Sequence, residues 1–164
     1  MVFGAMAASQ DQQDFRRPST AEERQRFVAL VHKLEESPLD PNLKEDTQWA
    51  LKWIEGVTDV NVTICSTPLG DLPEENYQYK NRIGVQYTLA MGAFLIEHPD
   101  KAGNTYSQYL AGVQSALKTY SAILKSKPSA KSRALDKLQT AQKDGKLPDL
   151  IREAAKLCDE TNRT

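Results

Sequence analysis

Cys65, Cys158, His32 and His98 are the residues in this chain best equipped for chemistry, being its only cysteines and histidines. Two cysteines cannot complete a four-ligand zinc site, and neither belongs to a C-x-x-C redox pair. They can pair with each other in an oxidising compartment, or stay as buried, inert thiols in a reducing one. A disulfide is the expectation. Cys65 ends a stretch with little helical reinforcement, and Cys158 lies on a last helix too short to be stable alone. Closing the 93 positions between them would contribute about 4–5 kcal/mol by restricting the unfolded chain. His32 and His98 both fall near expected helix C-termini, where a cation favours the last carbonyls and the negative end of the helix dipole. That is a sufficient structural role, and neither reads as catalytic.

Other chemical signatures are missing. There is no G-x-x-x-x-G-K-[ST] or G-x-G-x-x-G phosphate loop and no G-x-S-x-G elbow. The 22 Asp and Glu residues include none marked by spacing as an acid–base pair. No catalytic residue, cofactor or metal is therefore expected, and the chain leans away from an enzyme. A spatially assembled active site remains an alternative that motif reading does not reach.

Binding is the stronger expectation. Trp49 and Trp53 form an i, i+4 pair, and Tyr77, Tyr79 and Arg82 follow one another at the expected start of a long helix. Trp, Tyr and Arg are enriched at binding surfaces, so these five are the candidate surface for a protein partner or small ligand. Tyr106, Tyr109 and Tyr120 lie on an apolar stripe and read as core packing. From Lys118 to Lys146 there are eight Lys/Arg and two Asp. That stretch holds one aromatic, Tyr120, and little arginine, so base stacking and bidentate base contacts are poorly supplied and nucleic acid is not favoured. Net charge is −1 overall, but residues 1–100 hold 9 basic against 16 acidic side chains and residues 101–164 hold 12 against 6. The basic stretch reads as a solvated face offsetting the acidic half. Asn61-Val-Thr63 is a formal glycosylation sequon.

The elements that must position these residues are helices. A chain of 164 residues fits one domain, expected over 19–160. Ser19 or Thr20 with Glu22 or Glu23 forms a capping box, after which Phe27, Leu30, Val31 and Leu34 make one stripe. Asp40-Pro41 opens a second helix ending near Gly56. Val57 to Cys65 is rich in β-branched residues and reads as extended. Loop residues from Ser66 to Pro73 lead into a helix over about Glu74–Ile96, in which Gly84, Thr88 and Gly92 form a row of small residues suited to close helix contact. Tyr106 to Leu124 keeps helical spacing for about five turns, and helices near Ala130–Lys143 and after Leu147-Pro148 complete the pattern. The fold class is all-α, a bundle of five to six mostly antiparallel helices.

No apolar run approaches the ~18 residues of a membrane span. Residues 1–18 read as a signal-peptide stub and a disordered lead-in, with Ala5-Met6-Ala7 in the A-x-A form of a signal-peptidase site. A secreted or periplasmic location is expected. Two resemblances are present. Ala116-Leu117, Tyr120, Ile123-Leu124 and Pro128 resemble the second helix of a tetratricopeptide repeat, without a second copy about 34 residues away. Cys65-Ser-Thr-Pro68, Phe94-Leu95 and His98-Pro99 resemble small periplasmic immunity proteins that neutralise injected bacterial toxins. The spacing departs from that family's, and no cysteine follows soon after Ala116-Leu117 as its pattern requires, so membership is not assigned. The functional expectation is an exported binding or structural module. Alternatives are a bundle binding a small apolar ligand, an immunity-type protein and an enzyme.

Overall fold

A computed structural model describes residues 14–163. Six helices make an all-α bundle, with no strand among the described residues: α1 Ala21–Glu36, α2 Lys44–Gly56, α3 Lys80–Glu97, α4 Thr105–Ser126, α5 Arg133–Lys143 and α6 Leu147–Thr161. Their ends follow the capping chemistry of the sequence. Thr20 caps α1 through the Glu23 amide, while the Glu23 carboxylate returns to the Thr20 amide. Asn104 accepts from the Ser107 amide at the start of α4, and Ser132 from the Leu135 amide at the start of α5. Each such cap is worth about 1 kcal/mol.

The apolar side chains gather into two clusters. One joins α1, α2 and one flank of α3 around Phe27, Trp53 and Leu89. The other joins α4, α5, α6 and a second flank of α3 around Tyr87, Tyr109, Tyr120 and Leu135. Helix α3 is thus the shared wall, which explains why the run from Ile83 to Ile96 is apolar on more than one face.

Between the clusters lies a polar seam. Gln86 of α3, buried, donates from Nε2 to Val31 O of α1 at 3.1 Å and to Ser115 Oγ of α4 at 2.8 Å. Ser115 donates in turn to Glu35 Oε1 of α1 at 2.6 Å. Three helices are joined by side chains that leave no donor stranded, the condition under which buried polar groups are tolerated.

Three regions differ from the sequence reading. The long helix begins at Lys80, because Leu72–Glu74 forms a separate 3-10 turn and Tyr77 is drawn into the α4–α5 side of the core. Part of the lead-in is packed: Phe15 is buried, meets Trp49 edge-on, and sits where a Cβ on Gly56 would approach its own Cβ to 2.6 Å. The row of small residues divides in two. A Cβ on Gly92 would lie 2.9 Å from Ile54 Cδ1 and 3.1 Å from Phe27, whereas one on Gly84 would meet nothing within 4 Å. Gly112 of α4, absent from the expected row, is the tighter contact, with the Tyr87 ring 2.7 Å from a Cβ placed there. Ala5-Met6-Ala7 lies outside the described residues.

Val57 to Cys65 forms no ladder with another segment. Its start is held by the Thr58 amide donating to Arg17 O at 3.1 Å, by Ser19 donating to Asp59, and by the buried Val57 and Val60; its end is held by Tyr87, whose hydroxyl donates to Cys65 O at 2.9 Å, and by Cys158. The two cysteines are at disulfide-bonding distance, with Cα atoms 6.1 Å apart.

Two predictions follow from this packing. Gly92→Leu should lower stability by about 1–3 kcal/mol through overpacking, while Gly84→Ala should raise it by about 0.5–1 kcal/mol through helix propensity; thermal unfolding of both variants checks the contrast. Thiol titration of protein folded under oxidising conditions should find no free thiol before reduction and two after. Reduction should lower the melting temperature by several degrees, in keeping with the ~4–5 kcal/mol expected from closing a loop of this length.

Candidate functional site

The five residues expected to form one binding surface occupy three places. Trp53 is fully buried in the α1–α2 cluster, 4.7 Å from the Phe27 ring. Its indole N–H donates to Glu23 Oε2 at 3.2 Å, which satisfies the polar end of the ring. Trp49 stacks on Trp53 and carries the Arg26 guanidinium 3.9 Å over its ring, a cation–π contact on the rim of that cluster. Tyr77 is buried in the other cluster, donating to Ala130 O at 3.1 Å, with Tyr79 edge-on against it. Arg82 stands apart on α3, exposed.

Arg82 leads to the candidate site. A cavity of about 200 Å³ opens beside it, lined by Leu34 and Pro38 at the end of α1, Thr47 of α2, Asn81, Arg82, Val85 and Gln86 of α3, and Thr119 of α4. A second, more open hollow of about 520 Å³ continues along α3, walled by Leu51, Leu69, Leu72 and Pro73 and floored by Gly84, Val85 and Thr88. The two share Asn81 and Val85, so they form one groove along the flank of α3 that neither core covers. Local sequence explains the shape. Pro38 stops α1 and turns the chain away, and the two proline-containing 3-10 turns at Thr67–Leu69 and Leu72–Glu74 build the far wall. Gly84 leaves the floor low.

The groove is mainly apolar, with Asn81, Arg82, Gln86 and Thr47 among the residues lining its smaller hollow. Arg82 and Asn81 make no side-chain hydrogen bond or ion pair with another described residue. Thr119 is fully buried beneath the hollow, and its Oγ1 has no hydrogen-bond partner among the described residues. Thr47 is already engaged, donating to Leu43 O at 2.7 Å. A small molecule or inserted side chain with an apolar body and a polar end would find both halves of its chemistry here. Of the five residues read from the sequence as a binding surface, Arg82 alone lines this groove; nothing in the local pattern marked Thr119, Leu34 or Pro38 as its neighbours.

The remaining charged residues have local roles. His32 is exposed, with Nδ1 3.4 Å from Glu35 Oε2 and Nε2 3.7 Å from Glu97 Oε1. His98 caps the end of α3 and packs on the Phe94 ring. No group of three or more His, Cys, Asp or Glu among the described residues is arranged to hold a metal ion. Two lysines of the basic stretch cross to acids of the other half: Lys118 Nζ lies 3.5 Å from Glu35, and Lys137 Nζ 3.2 Å from Asp71. Glu75 accepts from the Arg133 and Ala134 amides and from Ser132 Oγ at 2.8, 3.0 and 2.9 Å, closing the N-terminus of α5 from a distance. Burial alone would raise its pKa, but these donors outweigh it and hold the carboxyl below its ordinary value.

Comparison with protein-family models, curated proteins and solved structures finds no match to this chain.

One carboxylate supports much of the N-terminal cluster. Glu23 is pulled down to about 2, first by the Arg17 guanidinium 2.6 Å away, then by the Thr20 amide and the Trp53 indole, against the opposing cost of burial. Its folded pKa lies below its unfolded value of 4.5, so the stability it confers is complete above that value and is lost as pH falls toward about 2. Stability measured between pH 5 and pH 2 should fall less steeply in Glu23→Gln, which should already be less stable at neutral pH.

Proposed function

We propose that this protein is an exported binding module whose recognition surface is the groove along α3. The observation that carries the reading is the continuity of the two hollows: an apolar channel with polar side chains at one end, on a flank of the central helix that the two described cores leave open. Gly84 supports it. A glycine in the middle of a helix costs about 1 kcal/mol relative to alanine, and no atom of the described residues comes close enough to require one at this position. Without a side chain at this position the floor of the groove stays open to whatever enters it. Export is supported by the pairing geometry of Cys65 and Cys158, since disulfides persist in oxidising compartments. No described helix is long and apolar enough to cross a membrane.

Gly84→Leu is the decisive variant, because the new side chain projects into open space and raises helix propensity while it obstructs the groove. Native mass spectrometry of protein purified from its source should show the wild-type chain carrying a ligand or partner, and the Gly84→Leu chain, equally folded by circular dichroism, without it. A bare wild-type chain, or one whose cargo survives the substitution, would remove the groove from the function.

A further inference from the structure

We infer that the outward face of α6 is a self-association surface, on which a second copy of this chain packs its own α6 antiparallel about a twofold axis. The face shares no residue with the groove along α3.

Apolar surface comes first. Among the described residues the exposed large apolar side chains are Ile64 at 70%, Leu150 at 49% and Leu157 at 54%. A single exposed leucine is ordinary, but Leu150 and Leu157 are two turns apart on one helix and therefore share a side. The inner face of α6 is made by Leu147, Ile151, Ala154, Ala155 and Cys158, all buried, and the two leucines lie beyond it. Beside Leu150 a hollow of about 210 Å³ opens between α6, α5 and the Thr67–Leu69 turn, with Pro68, Ala134, Leu138, Ile151 and Ala154 in its wall. Leu157 is not part of that wall. In a twofold antiparallel pair, Leu157 of one copy falls opposite Leu150 of the other, and each copy supplies the side chain that fills the other's hollow.

Charge is the independent observation, and it is what selects a second copy. Along the middle of α6, Arg152 pairs with Asp149 at 2.7 Å and Lys156 with Glu153 at 2.9 Å, so these charges are neutralised within the helix. Lys146 at its start and Glu160 in its last turn are exposed and make no ion pair with another described residue. Each stands at the wrong end of its own helix. A helix N-terminus favours an anion and a C-terminus a cation, and α6 has no basic residue in its last turn. Lys146, Leu150, Leu157 and Glu160 follow one another at steps of four, seven and three, which keeps them on one stripe. An antiparallel second α6 removes the conflict. It brings Lys146 of each copy to Glu160 of the other and sets the two helix dipoles in opposite directions. The surface that complements this face end for end is the face itself, the condition for an isologous contact.

Sedimentation velocity of the oxidised full chain over a concentration series is the test. The helix has 15 residues, about 22 Å of length, and a contact of that extent lies at the small end of specific interfaces, so the dimer should form in the micromolar range. Leu157→Ser should abolish it and leave the circular dichroism of the monomer unchanged. Lys146→Glu and Glu160→Lys should each weaken the dimer about tenfold. Each should nevertheless raise the melting temperature of the dilute monomer, because each corrects the charge at its helix end. Combined in one chain, the two substitutions should restore wild-type dimerisation. Within a chain the two positions are about 21 Å apart along the helix, so only contact between copies produces that rescue. A wild-type chain that stays monomeric at every concentration, including one that carries a different protein on α6, overturns the inference. So does a dimer that survives Leu157→Ser, or a pair of charge reversals whose effects add instead of cancelling.

Discussion

Helix α3 has to be buried along two flanks at once, and the rest of the bundle is arranged around meeting that demand. Against α4 the helices close to the distance that Gly112 permits, with the Tyr87 ring seated where a side chain would otherwise project. Against α1 and α2 the limit is Gly92, beneath Ile54 and Phe27. A helix held this closely on both sides has little freedom to shift, because packed interiors transmit displacement instead of absorbing it. The polar seam from Gln86 through Ser115 to Glu35 fixes the remaining variable, the rotation of α3 relative to its neighbours. Turned by one residue, α3 would withdraw Gln86 from both acceptors and leave its amide unpaired in the interior, a cost of about 1–3 kcal/mol. The same rotation that buries two flanks determines which residues face outward, and those are Asn81, Arg82, Gly84, Val85 and Thr88.

Charge works at longer range than the sequence halves suggest. The acidic first hundred residues and the basic remainder are not separate surfaces. Glu35 and Asp71 reach lysines of α4 and α5, and Glu75 supplies the N-terminus of α5 with the acceptor that three donors require. The α5 helix is only 11 residues long, short enough to be marginal in isolation. It depends on that distant carboxylate, on its own Ser132 cap, and on Tyr120, whose hydroxyl donates to Asp136 Oδ1 at 2.7 Å and accepts from the Ser132 amide at 2.9 Å. Burial pushes the Tyr120 phenol up to about 12, which keeps it protonated and able to donate.

What could be read from the sequence was whatever is decided locally. The stripe from Tyr109 through Val113, Leu117, Tyr120 and Ile123 is buried as its spacing implies, and the Thr20–Glu23 capping box forms with both of its bonds. The cysteine pairing was legible by elimination, since two residues have one pairing. The aromatic surface was not, because exposure of a tryptophan or tyrosine depends on partners far along the chain. Trp53 can be buried whole only because Glu23 meets its N–H, and Tyr77 leaves the helix it was expected to join because Ala130, 53 residues away, accepts its hydroxyl. The groove was illegible for the same reason. It is assembled from the ends of α1 and α2, the face of α3, two turns and one threonine of α4, and no window of sequence contains more than a fragment of it.

The disulfide and the groove are connected by the segment between them. Val57 to Cys65 has no ladder to hold it and only a single long-range backbone bond, Thr58 N–H to Arg17 O, and segments with so few backbone bonds are the first parts of a fold to open. Yet this segment leads directly into Thr67–Leu69 and Leu72–Glu74, whose Leu69, Leu72 and Pro73 form the far wall of the groove. Weak attachment at Cys65 would let that wall drift from α3 and change the width of the channel. The Cys158 bond and the Tyr87 hydroxyl hold Cys65 from opposite sides, one to α6 and one to α3 itself. The cysteine pair thus sits where the chain between α2 and α3 carries no α-helix, and it bears on the position of the wall that faces α3. A wall held in place beforehand costs nothing to order when something enters, so the pairing of Cys65 with Cys158 bears on the width of the proposed binding groove as well as on the stability of the fold.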